Sequence, residues 1–371
     1  MLKRNGKFFE NLSSDTNKLK SDVVNVLQTI TKRNRDHTGQ YFDKQATIVT
    51  TINGFPGSDA HHGGVLLPDG RVFCVPLVST SATIYDPVAN TITTVSGFPG
   101  SHGLFGGVLL QDGRVFCVPR TNNSQAYIYN PATNSLTTVG GFAYSTLAYE
   151  GGVLLPDGRV FCVPSNSTTA RIYDPVTNTV TIPSPSFPGG AAYTGGVLLK
   201  DGRVFCVPDG VTSARIYNPV SDTIAIVPGF SGGFAGGVLM ADGRVFCVPG
   251  DAAQANIYDP VSGIITTVPG FPGGAAYVGG VLLPDGRVFL VPANVNYAKI
   301  YDPVTNTLTT VNGFPSGPFT FVGGVLLPDG RVFCVPNNSM SARIVSGPFS
   351  RPNNPYQIPV QLALSGFMNK F

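Results

Sequence analysis

The sequence predicts an all-β protein, a seven-bladed β-propeller of four-stranded antiparallel blades, closed by an N-terminal strand and preceded by an N-terminal helical arm. Three observations predict it. A stretch close to Gly-Gly-Val-Leu-Leu-x-Asp-Gly-Arg-Val-Phe-x-Val-Pro occurs seven times, with Gly-Gly pairs beginning at Gly63, Gly106, Gly151, Gly195, Gly236, Gly279 and Gly323, spaced 41 to 45 residues apart. A unit of that size cannot bury its own apolar face and must stack on its neighbours. Each unit holds the short β-patterned runs of one propeller blade. Finally, the runs are uneven at the two ends of the array: the seventh unit lacks its fourth run after residue 345, and an extra run, Ala46–Ile52, precedes the first unit.

The third repeat shows the elements in order. Gly152–Pro156 is a short apolar strand, and Asp157-Gly158 reads as a two-residue type I′ hairpin turn, which needs positive φ at both positions. Arg159–Pro164 is the second strand, followed by a loop that varies between repeats. Ala170–Asp174 is the third strand, stopped by Pro175, and Thr179–Ile182 is the fourth. A Phe ends the fourth run in repeats one to six (Phe98, Phe142, Phe187, Phe230, Phe271 and Phe314), and Phe55 plays the same part after Ala46–Ile52. The N-terminal strand is therefore expected to complete the last blade and remove the open edge.

Three segments follow: an arm over residues 1–45, the propeller over 46–345, and an extended, Pro-rich, apolar arm over 346–371. Residues 14–34 read as a helix with Leu19, Val23, Val26, Leu27 and Ile30 on one stripe. That helix either docks on the propeller or serves as an assembly arm through Leu19, Val23, Leu27 and Ile30. The first 45 residues carry nine Lys/Arg against five Asp/Glu, and the remainder carries fifteen against sixteen. The body is thus neutral and the arm only mildly basic, which does not make a nucleic-acid tail. No apolar run approaches the roughly 18 residues of a membrane-spanning helix. Six cysteines (Cys74, Cys117, Cys162, Cys206, Cys247, Cys334) share one repeat position, which Leu290 takes in the sixth repeat. A site shared by Cys and Leu is a buried apolar site. Free thiols and the absence of an apolar leader in Met1–Lys7 argue against secretion, so a cytoplasmic or virion location is expected.

Asp-Gly-Arg-Val-Phe, then Ile-Tyr-Asp-Pro-Val-Thr-Asn-Thr, after a Gly-Gly-led strand, resembles the kelch repeat and its galactose-oxidase-type propeller relatives over residues 46–345. The tryptophan usual in the fourth strand is replaced (Ile92, Leu136, Val180), and the usual second Gly pair is replaced by Val-Pro. The resemblance implies a propeller. It does not bring galactose-oxidase copper chemistry, because every Cys is a strand residue. Nor does it bring sialidase chemistry, for which Arg120 and Glu150 are the only irregular candidates.

One face of the predicted ring carries uniform turns; the other carries the variable 2–3 and 4–1 loops, where binding is expected. Candidate binding residues there are His61, His62, His102, Arg120, Tyr144, Tyr149, Glu150, Tyr193, Tyr277 and Phe321. His61, His62 and His102 lie in adjacent loops, but no metal or other cofactor is expected. The uniform face carries a ring of arginines (Arg71, Arg114, Arg159, Arg203, Arg244, Arg287, Arg331). These are expected to pair with Asp86, Asn130, Asp174, Asn218, Asp259 or Asp302 across the blade rather than to bind anions. The functional expectation is a non-enzymatic structural and protein-interaction propeller, with no catalytic residues. It would be a component of a large assembly such as a virus particle and bind its protein partners through the arms. The alternative is a glycan- or ligand-binding propeller that uses the variable loops.

Overall fold

A computed structural model describes residues 47–348, except His102, Asn122 and Asn123. The chain divides into two units, Met1–Thr47 and Ile48–Phe371, and the propeller is the body of the second. The expected N-terminal helix and the C-terminal arm both lie outside the described residues. Among the described residues there are seven four-stranded antiparallel sheets and no helix.

Six blades are continuous in sequence. Their inner strands are His61–Leu66, Leu104–Leu109, Tyr149–Leu154, Tyr193–Leu198, Phe234–Leu239 and Tyr277–Leu282, for blades 1 to 6. Blade 7 is composite. Phe321–Leu326, Val332–Pro336 and Ser341–Ser346 supply three strands, and Ile48–Asn53 supplies the outer one, in register from Ile48↔Ser346 to Asn53↔Ser341. The N-terminal strand therefore closes the ring, as the strand count implies.

Without tryptophan, the blades are clasped by Phe–Tyr stacks. Phe73 lies on Tyr129 at 5.0 Å, Phe116 on Tyr173 at 4.9 Å and Phe161 on Tyr217 at 4.8 Å, each pair bridging consecutive blades. Phe333 on Tyr85 at 5.1 Å carries the pattern across the seam from blade 7 to blade 1. Each stack adds about 0.5–1.5 kcal/mol beyond area burial. The six cysteines are free and buried in these interfaces, where burial pushes every thiol well up and leaves it inert.

The two glycines of each pair do different work. A Cβ on the second one, Gly64, would sit 2.8 Å from Cγ2 of both Val325 and Val335 in blade 7, so that position is empty because the next blade fills it. The first one has positive φ (80° at Gly63, 86° at Gly151) and sits in a β-bulge: Tyr149 opposes Pro164, yet Gly152 opposes Cys162.

Two turn readings change. In Leu155–Gly158 only Gly158 has positive φ, and its N–H bonds Leu155 O at 3.0 Å. The turn has Pro156 in its first corner and a left-handed glycine at its end, so it is not type I′. Asp157 is there for its carboxylate, which accepts the Arg159 N–H at 3.1 Å and the guanidinium at 2.6 Å. All seven arginines pair in this way with their own turn aspartate, two residues back, and not across the blade. Asp86, Asn130, Asp174, Asn218, Asp259 and Asp302 instead accept backbone N–H groups of the 3–4 turns.

Candidate functional site

Inner strands surround the axis. Their first glycines face one another in turn, and a Cβ on Gly323 would meet Gly63 Cα at 3.3 Å, closing the circle. A bulge re-aims the side chain beside it. Each bulge is followed by that axial glycine, so the residue just before it recurs in all seven blades beside the axis on the loop face: His62, Phe105, Glu150, Thr194, Ala235, Val278 and Val322. From the Gly pair onward the inner strands repeat as Gly-Gly-Val-Leu; in this column the chemistry changes at every blade but one.

Blades 1 to 3 make the polar arc. The His62 imidazole stacks on Phe105 with centroids 3.2 Å apart, and the Arg120 guanidinium lies 4.4 Å from the Phe105 ring centroid. Arg120 comes from the 2–3 loop of blade 2 and bonds Glu150 Oε1 through Nη2 at 3.0 Å and Nε at 3.3 Å. Burial pushes the Glu150 carboxyl up, with Arg120 opposing and Asp209 assisting. Burial, helped by the Arg120 charge, pulls the His62 imidazole well below its usual range. The mouth therefore holds a neutral imidazole and a carboxyl that gives up its proton reluctantly, within one chain of contacts. Beyond them, Thr194 donates to Phe234 O at 2.7 Å, and Ala235, Val278 and Val322 complete an apolar arc.

The sequence candidates divide sharply. His62, Arg120 and Glu150 come together. Tyr149, Tyr193, Tyr277 and Phe321 are 0% exposed, packed between blades one residue before the ring, and offer no stacking surface. His61 is buried at the seam between blades 7 and 1. Its Nδ1–H donates to Pro336 O at 3.0 Å, because a carbonyl only accepts, and Nε2 accepts from Thr83 Oγ1 at 2.8 Å. Burial lowers its pKa to about 4. Tyr144 is exposed on the connection into blade 3, and His102 lies outside the described residues. Among the described residues no three His, Cys, Asp or Glu side chains converge as metal ligands. Phe105 and Thr194 were missed; reading down the column before each Gly pair would have found them.

No family model and no curated protein matches the chain, so the likeness to kelch repeats stands as one of fold. Solved structures do match. A streptogramin B lyase superposes with a TM-score of 0.69 at 11% identity, over 81% of this chain and 97% of its own. A catalytically inactive variant of virginiamycin B lyase from Staphylococcus aureus, with quinupristin, gives 0.70 at 11% identity, over 81% and 99%. A fungal alcohol oxidase of the AA5 family in complex with copper gives 0.62 at 14% identity, over 82% and 76%. The fold is a seven-bladed propeller. These neighbours are enzymes, so the expectation of a non-enzyme is withdrawn. That expectation rested on every Cys being a strand residue and on Arg120 and Glu150 being the only irregular candidates, and those two come together with His62 at one end of the axis.

Proposed function

We propose that the chain recognises a small amphipathic ligand at the loop-face mouth of its central channel. One observation carries the reading: the bulge column lies beside the axis, differs from blade to blade, and its chemistry is segregated. Polar and aromatic groups (His62, Phe105, Glu150, with Arg120) occupy one arc, and Ala235, Val278 and Val322 the other. Concave sites that pair apolar walls with a few placed polar groups are the usual form of small-ligand sites. The test is a thermal-shift screen with small molecules, glycans included, on the native protein and on a Phe105→Ala, Glu150→Gln double variant. Ligands that stabilise only the native protein support the reading; equal shifts in both place binding elsewhere.

A catalytic form of this reading is favoured by an imidazole that burial keeps uncharged, His62, lying in one arc with the Glu150 carboxyl that Arg120 holds; these are the two kinds of group that general acid–base chemistry uses. The similar lyase was made catalytically inactive by a histidine-to-alanine change and was solved with quinupristin, which makes quinupristin a sensible first probe. Conversion of a bound ligand is followed by mass spectrometry. His62→Ala is expected to abolish turnover while leaving binding within a few-fold.

A further inference from the structure

Blade 7 is the one blade whose four strands are not consecutive in the chain. Its outer strand, Ile48–Asn53, runs on into blade 1, so that strand and blade 1 form one lip of a seam. The three C-terminal strands of blade 7 form the other lip, and only non-covalent contacts hold the two together. Besides the strand pairing, Gly54 and Phe55 donate to Met340 O at 3.2 and 3.1 Å, Ala60 to Asn337 O at 3.3 Å, and the Asp59 N–H to Asn338 Oδ1 at 2.6 Å.

His61 belongs to this seam. It is 0% exposed; Nδ1–H donates to Pro336 O on the far lip, and Nε2 accepts from Thr83 on its own. Leu104, Tyr149, Tyr193, Phe234, Tyr277 and Phe321 take its place in blades 2 to 7, and none of them takes up a proton in acid. The one imidazole of the column thus stands at the one interface that chain continuity does not secure. Its partners suit a neutral ring. A proton on Nε2 makes that nitrogen a donor, and the Thr83 hydroxyl, 1% exposed, must then turn its own hydrogen away. The new charge meets the Pro336 carbonyl, that hydroxyl and the edge-on Phe55 ring, and no carboxylate acts on it. Other titratable groups on the packed elements supply no counter-charge: Cys74, opposite Thr83, is a buried thiol, Arg343 lies over Phe321, and His62 stacks on Phe105. A buried charge without a counter-ion is unfavourable, and an open seam gives it water instead.

We infer that His61 is an acid-sensitive latch on the ring: on taking up a proton it opens the seam between blades 7 and 1 while the other six interfaces stay closed. Burial holds its pKa at about 4, against 6.5 for an ordinary imidazole, so the latch loosens as pH falls through that window. The inference does not rest on the reading of the channel mouth.

The molecule carries its own reporters. Cys74 lies in the seam with Phe55, Phe333 and Val335, and Cys117, Cys162, Cys206, Cys247 and Cys334 lie one each in five of the other interfaces. The experiment treats the full chain with 4,4′-dithiodipyridine at pH 6.5 and pH 4, the ends of the window, and assigns the modified thiols by peptide mass spectrometry. Dividing each rate by that of the denatured chain removes the reagent's own pH dependence. Cys74 is expected to gain at least about tenfold over the other five thiols at the lower pH. His61→Leu with Thr83→Val, which takes the blade 2 residue and leaves no hydroxyl unpaired, removes the gain, and His61→Tyr, the residue type of blades 3, 4 and 6, checks it independently. Uniform labelling of the native protein at pH 4, or labelling led by Cys117, which would trace the effect to His62 and its stack on Phe105, would overturn the inference. So would an acid gain at Cys74 that survives in either variant.

Discussion

The two faces of the propeller are built from the same strands yet differ in what they repeat. On the turn face every blade closes its first hairpin with the same Asp–Arg pair, and all seven pairs span 2.6–2.7 Å. On the loop face one arginine, Arg120, reaches into the next blade for Glu150, and both side chains are largely buried. The difference teaches where to look. Uniform charge in a repeat belongs to folding, because each copy solves the same local problem. A charge that appears once has no copy to explain it.

The largest expected effect comes from the seam. Removing residues 1–53 deletes the outer strand of blade 7 and exposes Ser341–Ser346 as an open edge. Loss of soluble monomer in size-exclusion chromatography is expected, and a soluble deletion with native melting would contradict closure by this strand.

Next come the glycine pairs. Gly107→Val places new atoms against Cγ2 of Val65 and Val75, which already lie 2.9 Å from a bare Cβ, and is expected to cost about 1–3 kcal/mol or more. A comparable loss from Gly106→Ala has a different cause, backbone strain at φ 78°, of about 1–2 kcal/mol. Chemical denaturation of the two variants separates the reasons: relieving the first by Val65→Ala with Val75→Ala should restore part of the stability relative to that double variant alone, and the same partners should do nothing for the second.

His61 gives the seam a pH dependence. Its folded pKa, about 4, lies below the ordinary imidazole value of 6.5, so the unfolded chain takes up the proton first as pH falls. The contribution to stability is complete above pH 6.5, declines between 6.5 and 4, and levels off below, a loss of about 3 kcal/mol. His61→Leu, the residue type of blade 2, should flatten that window in melting curves taken across it.

The smallest effect belongs to the turn face. Each exposed Asp–Arg pair is worth about 0–1 kcal/mol, and Arg203→Ala should change the melting temperature by only a degree or two.

The fold was legible because it is written seven times. Period, strand count and the missing fourth run dictate blades, number and closure without any single residue being decisive. The Asp-Gly turns misled because the dipeptide is as compatible with a left-handed glycine alone as with a type I′ pair, and the carboxylate that distinguishes them acts two residues away. The arginine pairing followed the same error. At the site, Tyr149, Tyr193, Tyr277 and Phe321 looked like loop aromatics because a bulge shifts the register by one residue. Periodicity cannot show that shift, and it turns the aromatics into the interface while sending His62 and Glu150 to the axis. Phe105 was hidden for the same reason.

The comparison between faces is tested most directly by measuring the affinity of one ligand from the screen against paired double variants. Phe105→Ala with Glu150→Gln alters the unrepeated arc; Arg71→Ala with Arg203→Ala alters the repeated ring. The expected result is at least a tenfold loss in the first, about 1.4 kcal/mol, with the second within twofold of the native protein. Equal affinity in both variants, or a loss confined to the turn face, would contradict the assignment of recognition to the channel mouth.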